Sequence, residues 1–106
     1  MRIRETCGPG AVSRATAITD NGTEVTLWEG QDPTRQGPTD FVVKPPQPVV
    51  AGKVNVYLQT ESVPGWNEID AVEVVSTDGR RQWATEASAS SHYGQPAPAG
   101  AATAKF

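Results

Sequence analysis

The chain has one cysteine, Cys7, and one histidine, His92, and this scarcity removes most catalytic and metal-binding constellations at once. A single cysteine forms no internal disulfide and leaves the redox compartment open. His92 has no cysteine or carboxylate at metal-ligand spacing beside it, so a surface histidine is the plain reading. No apolar run approaches the roughly 18 residues that a membrane-spanning helix needs. No apolar stretch follows Met1-Arg2-Ile3-Arg4-Glu5 either, so no cleavable signal peptide is visible. With Met1 as the true start, the cytoplasm is the expected compartment. The basic residues are few and scattered and the formal net charge is −3, which argues against a nucleic-acid partner. No window sustains a 3.6-residue period, so long helices are not expected.

What the chain does have is turn chemistry. Ten glycines and nine prolines in 106 residues leave room for one domain of short strands joined by tight loops. Residues 11–19 and 23–28 flank Asp20-Asn21-Gly22 and are expected to form a hairpin, with Asn-Gly supplying positive φ angles. Lys53 to Thr60 alternates most cleanly: Val54, Val56 and Leu58 face one way, while Asn55, Tyr57 and Gln59 face the other. From Glu68 to Ser76 the parity slips, and a bulge near Asp70 and Ala71 would return Ile69, Val72 and Val74 to one face. Thr77-Asp78-Gly79 marks a second hairpin. Gly8-Pro9-Gly10 and Gly37-Pro38 read as turns rather than phosphate cradles, because neither opens a helix or precedes Lys-Ser/Thr. Six or seven such strands predict an all-β antiparallel sandwich or barrel over residues 1–94. The Pro/Ala/Gly-rich segment 95–106 is expected to be a disordered tail.

Few side chains stand out for chemistry. Trp28 and Trp83 fall in strands and are expected to cover the core or a sheet. Trp66 falls in a Pro-Gly turn, where an exposed aromatic can stack on a sugar ring or a protein surface. With Asn67 and Tyr57 it forms the candidate contact set, and Glu68 or Asp70 would support the loop or a cation. Glu68 and Asp70 share a strand parity, which suits a Ca²⁺ ion, a turn-fixing role or an ion pair equally. No cofactor is required by any motif, and Ca²⁺ stays open. No nucleophile and base stand at a recognisable spacing, so catalysis is not expected.

Ile3-Arg4-Glu5-Thr6 followed by Pro9-Gly10-Ala11-Val12 resembles the opening motif of a discoidin-like, galactose-binding-like sandwich, the SD scarf domain of pappalysin metalloproteases. Leu27-Trp28-Glu29-Gly30 and Trp66-Asn67-Glu68-Ile69-Asp70-Ala71-Val72-Glu73-Val74 are similar to two further strands of that family. Residues 81–84 and 87–91 are most similar to its planctomycete-type bacterial members. The resemblance spans roughly residues 2 to 94 and implies a jelly-roll sandwich used for recognition or scaffolding, with no protease motif carried over. Family members carry several dozen residues ahead of the Glu-Thr motif. Either Met1 is a late start, or the sandwich is shortened and has an uncovered edge. Two roles follow as expectations: binding of a glycan or protein through loops at one end, or assembly, including self-association, through a sheet edge.

Overall fold

The computed structural model describes residues 1–7, 9–45, 47–59, 68–89 and 100–106. Nine strands follow one another: β1 (Arg2–Cys7), β2 (Val12–Ile18), β3 (Glu24–Glu29), β4 (Thr39–Val42), β5 (Lys53–Leu58), β6 (Glu68–Val75), β7 (Arg81–Trp83), β8 (Glu86–Ala89) and β9 (Gly100–Lys105). They form two antiparallel sheets, one of four strands ordered β4-β1-β6-β7 and one of five ordered β3-β2-β5-β9-β8. The sheets do not close into a barrel, and no helix occurs among the described residues. The fold is therefore a β-sandwich.

Alternation explains the core. Ile3, Phe41 and Val72 reach inward from the smaller sheet, Val12, Val56 and Ala104 from the larger, and Val43 joins them just past β4. Ile3 and Val56 are essentially sealed from water, and full burial of such side chains contributes roughly 1.5–3 kcal/mol each. Trp28 meets Phe41 edge to face, with ring centroids 4.9 Å apart. A register shift between Ala15 and Thr16 makes Leu27 an extra residue in β3, and both Leu27 and Trp28 then pack against the core. Trp83 differs from the expectation of a covered indole and is 51 % exposed on the edge strand β7.

The parity slip in β6 resolves as expected. Arg4 pairs with Ala71 and Glu5 with Ile69, so Asp70 is the bulged residue. Both hairpins turn alike, and Asn21 is not in the positive-φ region that Asn-Gly suggested. Among the described residues only glycines have positive φ, with Gly22 at 86° and Gly79 at 87°. In each turn the glycine N–H donates back three residues, to Thr19 O or Ser76 O. In each, the Asn21 or Asp78 side chain accepts the N–H of Thr23 or Arg80 and the hydroxyl of Thr19 or Ser76. These are type I turns closed by a glycine bulge, which tolerate most residues before the glycine.

The tail expectation requires correction. Gly100–Lys105 is no disordered end but β9, inserted between β5 and β8 and paired along its whole length with β5. Its Ala104 is 4 % exposed in the core, so the sandwich does not stop at residue 94. Small side chains carry no visible apolar alternation, yet they suit a strand whose inner face meets an already filled core.

Candidate functional site

Two structural features converge at one end of the sandwich. The first is a carboxyl cluster. Glu5 has the parity of Ile3 and therefore faces inward at the end of β1, where it is 3 % exposed. The loop between β3 and β4 crosses over it. Gly10 N–H donates to Glu5 Oε1 at 3.3 Å, and Thr34 Oγ1 lies 2.8 Å from Glu5 Oε2 and 2.5 Å from Asp32 Oδ1. A hydroxyl has one proton, so it satisfies only one of those two carboxyl groups; the other contact needs a proton from a carboxyl. Burial, reinforced by the facing Asp32 carboxyl, raises the Glu5 pKa to about 7, while the bonds from Thr34 and Gly10 oppose the rise.

The second feature is an open cleft of about 680 Å³ just outside this cluster, lined by residues of β2, β3, β5 and the loop that follows β3. Asp32 belongs to both, but Glu5 does not line the cleft. The backbone here is pinned by Gly30 N–H to Ser13 O, Gln59 N–H to Ala11 O and Ser13 Oγ to Tyr57 O. Arg14 and Tyr57 are cross-strand partners on the outer face, with the guanidinium carbon 5.2 Å from the ring centroid. Arg14 also donates to Thr26 Oγ1 at 3.1 Å and lies 3.6 Å from Glu29 Oε2, too far for a hydrogen bond. Two buried polar atoms at the cleft have no hydrogen-bond partner: Arg14 Nε and Asp32 Oδ2.

Beyond the cleft, the outer face of the larger sheet is polar throughout its middle. The registers align Thr26, Thr16, Asn55, Thr103 and Ser88 in one rank across all five strands. Thr16 is fully covered although it faces outward, because Glu24 and Tyr57 lie over it. Thr16 Oγ1 and Tyr57 OH donate to the same oxygen, Glu24 Oε1, at 2.7 and 2.5 Å. These donors, Tyr57 foremost, hold the Glu24 carboxyl below its usual range, and the same bond raises the Tyr57 phenol.

The residues singled out from the sequence are not all gathered. Tyr57 lines the polar cleft, whereas Asp70 lines a different opening on the side of the sandwich. Glu68 opens β6, paired with Cys7, and Trp66 and Asn67 lie outside the described residues. Among the described residues no group of three or more His, Cys, Asp or Glu stands ready to hold a metal. Arg14, Glu24 and Asp32 escaped sequence reasoning. Arg14 had a usable signal in its hairpin parity with Thr16, but its pairing with Tyr57 joins two residues with 42 others between them in the sequence. A comparison with protein-family models, curated proteins and solved structures returns no match to this chain.

Proposed function

We propose that this domain is a non-catalytic recognition module that takes a hydroxyl-rich ligand, a glycan, in the cleft formed by β2, β3, β5 and the loop after β3. The carrying observation is a pair of buried atoms at one cleft that make no hydrogen bond: Arg14 Nε, which has only an ion-pair contact to Glu29 Oε2 at 3.6 Å, and Asp32 Oδ2. Ligand hydroxyls both donate and accept, so one sugar can satisfy both atoms. The Tyr57 ring beside them supplies an apolar surface. Glu5 carries a raised pKa, but it sits behind the loop and does not line the cleft, so it supports the loop rather than a reaction. The motif resemblance to SD scarf sandwiches of galactose-binding-like type favours the same kind of role.

The test is titration of the full chain with an oligosaccharide panel, followed by nuclear magnetic resonance. A binding glycan should shift the amides of residues 10–14, 29–32 and 57–59. Arg14→Ala and Tyr57→Ala should each weaken it by about tenfold or more, the scale of one lost charge-assisted hydrogen bond. Unchanged affinity in both variants would overturn the site. Concentration-dependent self-association with no glycan binding would favour assembly through an edge strand instead.

A further inference from the structure

A second opening lies on the side of the sandwich, where the short edge strands β7 and β8 leave the sheets parted. It has a volume of about 400 Å³, within the usual range of small-molecule pockets, and shares no lining residue with the polar cleft. Its walls include Val56, Val72 and Ala104, which are members of the central core, together with Ile69. The opening therefore reaches the rim of the core, where Val56, Val72 and Ala104 themselves stay buried behind the half-buried Ile69, Ala71 and Ala84. The half-exposed indole of Trp83 also lines it.

The ionisable side chains that line this opening, among the described residues, are carboxylates. Asp70 and Glu86 both line it, and no Lys or Arg does so among the described residues. Glu86 is offset by Lys105, 3.6 Å away. Asp70 is exposed and has no ion-pair partner among the described residues. It is also the bulged residue of β6, and a bulge re-aims a side chain out of the regular pleat.

We infer that this opening binds a small amphiphile with an apolar tail and a cationic amine head, the tail entering between the sheets and the head held by Asp70 and the Trp83 ring. An apolar chain suits the Ile69, Ala71, Ala84 and Trp83 lining. A quaternary or protonated amine suits an opening lined by both a carboxylate and a half-exposed indole, because both attract a weakly hydrated cation. This site does not depend on the glycan reading.

The experiment compares three probes of equal tail length, decyltrimethylammonium, decanoate and decyl glucoside, each below its aggregation concentration, on the full chain by nuclear magnetic resonance. Saturable binding of the ammonium probe should shift the amides of residues 69–72 and 83–88. Its affinity should exceed that of decanoate by about tenfold. Asp70→Asn should bring the ammonium and carboxylate affinities within about twofold of each other, as the charge term is removed. Trp83→Ala, at a half-exposed position on an edge strand, should weaken the ammonium probe more than the glucoside. Absence of saturable binding, equal affinity for ammonium and carboxylate in the wild type, or a head-group preference that survives Asp70→Asn would overturn the inference.

Discussion

Glu5 and Glu24 are both hydrogen-bonded carboxyls, yet their proton affinities move in opposite directions. Glu24 lies on the open face of the larger sheet, takes the hydroxyls of Tyr57 and Thr16, and is held below its ordinary pKa. Glu5 lies at the inner end of the smaller sheet, takes Gly10 N–H and shares the Thr34 hydroxyl with Asp32, and is raised to about 7. Having hydrogen-bond donors therefore does not by itself decide the outcome. At Glu5 burial, with the Asp32 carboxyl facing it, outweighs the bonds from Thr34 and Gly10; at the exposed Glu24 the bonds from Tyr57 and Thr16 win, and Arg14 adds a smaller contribution in the same direction. One region is an ionised network open to water; the other is a latch beneath a loop, protonated below about pH 7.

Removing the latch should have the largest effect. Glu5→Ala leaves the Gly10 N–H without its acceptor, frees the Thr34–Asp32 pair and opens a void at a position only 3 % exposed. A loss of about 3 kcal/mol is expected in urea unfolding at pH 5, combining cavity and hydrogen-bond costs. Glu24→Ala, at an exposed position, should cost distinctly less under the same conditions. Equal losses would break the comparison.

The pH dependence follows next in size. Because the folded Glu5 pKa, about 7, lies above its ordinary 4.5, the folded state binds more protons between those values. Stability from this group is complete below about pH 4.5 and is lost as pH rises through about 7. The loss is on the order of 2 kcal/mol, allowing for partial solvent screening. Glu5→Gln stays neutral and should flatten this slope, becoming more stable relative to wild type at pH 8 than at pH 5. Glu24 acts on the acid side with the opposite sign, since its contribution is present above the ordinary carboxylate range and disappears as pH falls. A Glu5→Gln profile parallel to wild type would assign the slope elsewhere.

The loop over Glu5 can be pushed directly. A Cβ on Gly37 would lie 3.2 Å from Thr6 O and 3.4 Å from Glu5 O, so Gly37→Ala must displace the loop or the strand by a few tenths of an ångström. About 1 kcal/mol of destabilisation is expected. Gly52→Ala is the control, because a Cβ there meets nothing within 4 Å. It should be neutral or stabilising by up to about 0.5 kcal/mol through the unfolded state. Thermal melts of the two variants separate the cases by sign.

How far these regions could be read from the sequence depends on whether their determinants are local. The β2–β3 hairpin and the Asp70 bulge were legible, because Asp20-Asn21-Gly22 and the shift from Ile69 to Val72 parity are written within a few residues. So was the core face of β5, since Val54, Val56 and Leu58 alternate without interruption. β8 and β9 were not legible. Their Ala, Ser and Thr residues carry no hydrophobic period, and Ala104 is buried only because β5 and β8 flank it. Glu5 carries no local sign of its burial, which is completed by a loop 27 positions away at Asp32. The cleft was illegible for the same reason: Arg14, Asp32 and Tyr57 meet only after the β2–β5 register is set.

The smallest expected effect is also the most local test of the open face. Tyr57 OH lies 2.5 Å from Glu24 Oε1, and this bond, together with burial and the carboxylate's charge, raises the phenol above its ordinary pKa. Glu24→Gln keeps an acceptor but removes the charge, so Tyr57 should titrate at lower pH in the variant than in the wild type, as followed by phenolate absorbance. Tyr57→Phe assigns the transition against that of Tyr93. Glu5→Gln should leave this titration unmoved, because its carboxyl faces the core and the loop rather than the outer sheet face. Tyr57 shifts of equal size in both variants would mean that the two glutamates sense one shared field, and the division into an open network and a buried latch would fail.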